Sequence, residues 1–95
     1  MKAVAKTAYG PFHLEYTDVP NPVCGDNDIV LKVKAAGICG SDMPLLYGPD
    51  EAKYKNYTYP MVIGHEFAGE VYEVGRNVTG WKVGDRVVSD NTGYV

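Results

Sequence analysis

The longest apolar runs in this 95-residue chain are only a few residues, far short of the roughly 20 needed to cross a bilayer. The opening stretch MKAVAKTAYG also lacks the continuous apolar segment of a signal peptide. No membrane association is expected, and the chain reads as cytoplasmic. Charge of one sign is missing too: nine Lys and Arg stand against twelve Asp and Glu, a net charge of −3, interspersed rather than in blocks. That pattern gives no basis for binding nucleic acid or an anionic membrane surface. Cysteine is scarce: Cys24 and Cys39 could form one disulfide in a secreted protein. In a reducing compartment each is a free thiol, a metal ligand or a small buried hydrophobe. No repeat, low-complexity stretch or useful length of amphipathic helix is found. No Gly-x-Gly-x-x-Gly follows a strand, so Gly69, Gly75, Gly80 and Gly84 read as turn and close-packing residues rather than phosphate cradles.

What is present is mostly a period of two. FHLEY alternates Phe12, Leu14 and Tyr16 against His13 and Glu15, and DIVLKVKAAG sets Ile29, Leu31, Val33 and Ala35 against Lys32 and Lys34, as half-buried strands do. MKAVAKT is expected to pair with the first of these across Tyr9-Gly10-Pro11, leaving His13 facing solvent. PNPVCGDND is too rich in Pro, Gly, Asn and Asp for regular structure. GEVYEVG and NVTGWKVGDRVVSD supply two more strands around Gly80 and a Gly84-Asp85 turn. Only SDMPLLY suits a helical turn, with Ser41 or Asp42 as its N-cap and Pro44 tolerated in the first turn. Short strands at about ten-residue spacing argue for one mainly β domain over residues 1–95, a compact barrel or sandwich. A chain of this length buries only about 60–65% of its unfolded surface, so its core is modest.

Chemistry concentrates in GICGSD (37–42) and GHEFAGEVYEVG (64–75). Cys39 follows a strand and opens the helical turn; His65 and Glu66 follow Gly64 at the mouth of another strand. Thiolate, imidazole and carboxylate are all zinc donors, and a catalytic zinc uses three protein ligands with one position open. Neighbours on a regular strand point to opposite faces, so His65 and Glu66 can share an ion only if the backbone turns, which Gly64 permits. Taken singly these residues mean little, since a lone cysteine is more often a core residue. Cys24, in the Pro-rich loop without ligand spacing to Cys39, reads as structural or incidental.

Together the two stretches resemble a known family. GHEFAGEVYEVGRNV, Gly64 to Val78, is similar to the signature of zinc-containing medium-chain dehydrogenases. AGICGSD and VGDRV fall where that family has its cysteine motif and following strand. The resemblance covers essentially the whole chain and is nearest the sorbitol, threonine and galactitol-phosphate dehydrogenase branches. It implies a GroES-like, partly open β-barrel with a short helical turn. That barrel would be the N-terminal part of the catalytic domain of a dehydrogenase using zinc and NAD or NADP, acting on a small alcohol or polyol and expected to be a homo-oligomer.

By the same resemblance Cys39 and His65 are metal ligands, and Glu66 is a third ligand or a carboxylate behind the metal. Asp42 is a carboxylate bonded to the histidine ligand, or simply a helix cap, or both. Ser41 is the hydroxyl that touches the substrate oxygen and relays its proton. Many relatives continue that relay through a histidine, where this chain reads Met43-Pro44, so the proton must pass to water or another group. The stretch YGPDEAKYKNYTYP, with Lys53, Lys55, Tyr47, Tyr54, Tyr57 and Tyr59, is either a substrate lid or a solvated loop. A stand-alone GroES-like barrel that binds other proteins is the alternative reading, but it needs no Cys-Gly-Ser-Asp and Gly-His-Glu pair. A zinc hydrolase would use the same ligands but lacks the HExxH helix. With no dinucleotide fold in sight, the 95 residues alone are expected to be inactive.

Overall fold

A computed structural model describes residues 1–48 and 55–91. The lid candidates Lys53 and Tyr54 therefore lie outside the described residues. The chain falls into two compact units, Met1–Pro20 with Ile38–Gly64 and Asn21–Gly37 with His65–Val95.

The first unit holds the strands β1 (Lys2–Lys6), β2 (Leu14–Asp18) and β4 (Met61–Val62), in the sheet order β2-β1-β4. The expected hairpin is there: β1 and β2 are antiparallel, from Lys2 opposite Asp18 to Lys6 opposite Leu14. The central strand is the buried one, with Ala5 at 0% and Lys6 at 2% exposure. The expected half-buried face of FHLEY is not. Phe12, Leu14 and Tyr16 are 59%, 39% and 71% exposed, because β2 is an edge strand. It also starts only at Leu14, since Phe12 and His13 take the left-handed conformation, which interrupts pleating. His13 is exposed, as its alternation suggested. β4 is a short strand that the sequence pattern did not announce.

The same unit contains the helical segment, a 3₁₀ turn at Gly40–Asp42 running into α1, Met43–Tyr47. Proline stands in the first turn of α1, where its missing N–H costs nothing. Gly48 ends the helix at φ 70°, its N–H donating to the Pro44 carbonyl at 2.9 Å, the left-handed stop that glycine makes without steric cost.

The second unit is also a three-stranded antiparallel sheet, β3 (Ile29–Gly37), β5 (Glu66–Val74) and β6 (Arg86–Val88), in the order β3-β5-β6. Again the central strand is the most buried, Val71 being 2% exposed. β3 follows the expected boundaries, but irregularities at Val30/Leu31 and Val33/Ala35 shift its register against β5. The simple alternation of Ile29, Leu31, Val33 and Ala35 is therefore not kept, and Val33 is 54% exposed. Of NVTGWKVGDRVVSD only Arg86–Val88 is strand. Gly80 and Gly84 make its turns at φ 85° and 95°. Among the described residues the strands form these two sheets, and no closed barrel. The expectation of a mainly β fold with a short helical turn holds.

Candidate metal centre

Gly64 stands at φ 98°, a conformation that disfavours any residue with a Cβ. It is the backbone turn that the Gly-His-Glu order requires. His65 follows it before the strand begins and is partly buried, while Glu66 is the first, exposed residue of β5. Across the ladder Glu66 is paired with Gly37, the last residue of β3. A Cβ built on Gly37 would stand 3.3 Å from the Glu66 Oε2 atom, so the glycine leaves the carboxylate room.

Two residues beyond Gly37 the chain reaches Cys39, which caps the 3₁₀ turn. Its N–H donates to the Asp42 carboxylate at 2.9 Å, and the Asp42 N–H donates back to the Cys39 carbonyl at 3.0 Å. Cys39 is the N-cap of the 3₁₀ turn, and Asp42 is the N-cap of α1, as its sequence suggested, though without a side-chain cap bond to that helix. Asp42 is nevertheless one of the few buried polar residues, 9% exposed, which a carboxylate tolerates only when bonded. The Ser41 hydroxyl donates to the Cys39 Sγ at 3.3 Å.

Among the described residues Cys39, His65 and Glu66 are a group that could hold a metal ion. Their donor set, one thiolate, one imidazole and one carboxylate, has the composition of a three-ligand catalytic zinc site. The described residues therefore fit zinc in both number and type of donor. No pairing between Cys39 and Cys24 competes, since both thiols are free. Cys24 is held elsewhere, its Sγ 3.5 Å from the Asp28 carbonyl and 3.6 Å from that of Gly25. Partial burial first, and the carboxylates of Glu73 and Asp28 next, push its thiol above the usual range.

Sequence reasoning missed Gly37 as part of this arrangement and Lys6 as a buried cation. Gly37 could have been found from its place just before Cys39, where a strand must end beside the ligand. A lysine in an alternating strand gives no sign of burial.

The sequence matches the alcohol dehydrogenase GroES-like domain over residues 25–94. It is 47% identical over its whole length to D-arabitol-phosphate dehydrogenase of Enterococcus avium, covering 26% of that protein. It is 50% identical over 74% of its length to L-threonine 3-dehydrogenase of Shewanella baltica, covering 20% of it. Its fold matches galactitol-1-phosphate dehydrogenase of Escherichia coli with a TM-score of 0.74 and 29% identity, over 93% of this chain and 24% of that one. The chain thus spans about a quarter or less of the length of these proteins. With the signature, the sheets and the ligand set in agreement, the chain belongs to the alcohol dehydrogenase GroES-like domain family, within the zinc-containing medium-chain dehydrogenases.

Proposed function

We propose that these residues are the metal-bearing part of an NAD(P)-dependent dehydrogenase that oxidises a secondary alcohol of a polyol, a polyol phosphate or a similar small substrate. The observation that carries this reading is the donor set of Cys39, His65 and Glu66, with a serine hydroxyl bonded to the Cys39 sulfur. The names of the similar proteins, two of them acting on sugar-alcohol phosphates, favour the substrate class. Cys39, His65 and Glu66 would hold the zinc, with Glu66 a direct ligand. Zinc, when bound, supplies a Lewis acid that makes the proton of an alcohol easier to remove.

The chain's own residues do the rest. Asp42 fixes the turn by accepting the Cys39 N–H, and in this proposal it also orients the imidazole of His65. Ser41 lies two residues from the thiol ligand, and its hydroxyl can exchange its bond to sulfur for one to a substrate hydroxyl. In this proposal it takes up the substrate's O–H proton and passes its own to water. Turning the alcohol into a carbonyl also removes a hydride from the carbinol carbon, for which an oxidised nicotinamide would be the acceptor.

In the full-length protein, Ser41→Ala should lower kcat for polyol or polyol-phosphate oxidation by about 100-fold, the scale of a lost acid-base group, with metal content unchanged. An unaltered kcat at saturating substrate would reduce Ser41 to a turn residue and remove the proton-transfer reading.

A further inference from the structure

The turn from β1 to β2 is held by an unusual set of bonds. Phe12 and His13 both adopt left-handed φ, 63° and 51°, a conformation that disfavours side chains and persists only where surrounding contacts enforce it. The enforcing group on one side is Lys6, 2% exposed, whose Nζ donates to the Gly10 carbonyl and, at 3.0 Å, to the Phe12 carbonyl. Thr7 takes the next carbonyl, its N–H and hydroxyl donating to His13 at 2.8 and 3.2 Å. With its carbonyls drawn back onto the end of β1, the turn sends the Phe12 N–H outward, to the Leu46 carbonyl at 2.7 Å. Leu46 is in the last turn of α1, where carbonyls have no partner inside the helix. The Phe12 ring also meets Tyr47 edge-on, centroids 6.1 Å apart and planes at 82°. At its other end α1 is continuous with Gly40–Asp42, the turn that carries Ser41.

We propose that Lys6, Phe12 and Tyr47 are positioning residues for Ser41. They form a clasp that fixes the far end of α1 so that the short helical segment presents the Ser41 hydroxyl in one place. A segment this short has little rigidity of its own, because helices of a few residues are marginal without tertiary support. The proposal rests on the reading that Ser41 moves the substrate proton. It adds a burial-driven reason for a lysine in β1 and for two side chains in left-handed backbone.

The test compares Lys6→Met and Tyr47→Leu in the full-length protein, each with Ser41 present and in the Ser41→Ala background. With Ser41 present, Lys6→Met should lower kcat about 10-fold and Tyr47→Leu about 3-fold, since small displacements of a reacting group are costly. KM and the thiolate-to-metal band of the cobalt-substituted protein should stay as they were. Amide hydrogen exchange at Phe12 should quicken, and Tyr47→Phe, which keeps the ring contact, should recover the loss seen with leucine. In the Ser41→Ala background neither substitution should lower kcat further, because a positioning residue acts only through the group it positions. Equal losses in both backgrounds, or no loss while Ser41→Ala remains costly, would overturn the clasp and leave the role of Ser41 standing. Full kcat in Ser41→Ala would overturn both. If Lys6→Met does not fold, the exposed Tyr47 decides the matter alone.

Discussion

In the turn Gly25–Asp28 the Gly25 N–H donates to the Asp28 carboxylate at 3.1 Å, and the Asp28 N–H donates back to the Gly25 carbonyl at 3.2 Å. In the turn Cys39–Asp42 the same two bonds measure 2.9 and 3.0 Å. A cysteine starts the second turn and stands one residue before the first. What differs is where the side chains go. Asp28 is exposed and Asp42 is buried. The Cys24 sulfur is directed at main-chain carbonyls, while that of Cys39 accepts a hydroxyl. The first turn is spent on packing: Arg76 pairs with Asp26 at 2.8 Å, Asn77 bonds Asn27 at 3.0 Å, and the Gly75 N–H donates to the Asp28 carbonyl at 2.8 Å. A Cβ on Gly75 would stand 2.3 Å from the Gly25 carbonyl oxygen, so only glycine lets the two backbones meet. One hydrogen-bonded device serves as a strut in one place and, in the function proposed above, as a ligand holder in the other.

The sharpest way to break this comparison is to exchange sulfur for oxygen in each turn. Cys39→Ser in the full-length protein should weaken metal binding by more than about 100-fold, beyond the upper end for losing a partner that merely supports a ligand. The thiolate-to-cobalt charge-transfer band should vanish with it. Cys24→Ser should leave the band and the metal content as they are. A band surviving in Cys39→Ser would take Cys39 out of the site and make the two turns equivalent.

Much of this contrast was legible in the residues. Cys39, His65 and Glu66 were separable from the surrounding strands because their donor types and the turn-permitting Gly64 make little sense in a purely structural strand. Cys24 was separable by its isolation in a Pro-rich loop. The strand at Ile29–Gly37 was legible in its extent from alternating apolar residues, although register shifts disturb the pleat, and that at Lys2–Lys6 from the turn that pairs it with the next strand. Less legible was anything set by neighbours distant in sequence. Tyr16 and Leu14 alternate like buried residues, yet lie on an edge strand. The register irregularities in β3 come from fitting β5. Lys6 is buried by a turn whose left-handed Phe12 and His13 carry no glycine to announce them. Asp42 is the cap position of α1, as the sequence suggested, but its carboxylate bonds the Cys39 N–H instead of the helix, which composition does not decide.

A second substitution sharpens the comparison at the carboxylates. Asp42→Asn keeps the shape but replaces a charged acceptor with a neutral one at the ligand-bearing turn. Metal affinity should fall by about 10- to 100-fold, as for other groups that orient a ligand. Asp28→Asn makes the same change on an exposed turn with no ligand to hold, and its metal affinity should match the parent's. Competition with a chromophoric chelator measures both. Equal losses, or none in Asp42→Asn, would mean that burial of the carboxylate has no bearing on the metal.

The smallest effect is expected where the same device recurs without a cysteine. In the turn Lys82–Asp85 the Lys82 N–H donates to the Asp85 carboxylate at 3.0 Å and the Asp85 N–H donates to the Lys82 carbonyl at 3.1 Å, with the Lys82 ammonium 2.7 Å from the same carboxylate. The side-chain bond from Lys82, and after it the main-chain one, hold the Asp85 carboxyl below its usual value. A carboxylate with a lower pKa folded than unfolded stabilises the fold fully above the unfolded value, about 3.9, and loses that contribution as pH falls through the folded value. Asp85→Asn should therefore lower the melting temperature slightly at pH 7, by no more than about 2 °C for so exposed a pair. The difference from the parent should begin to shrink as the pH falls below about 4 and close once it has passed the lower, folded value of the parent's carboxyl. Thermal melts of the full-length protein and Asp85→Asn between pH 7 and pH 3 measure this. A gap that is constant with pH would assign the turn's stability to the two backbone bonds and the shape of the side chain, leaving its charge without effect.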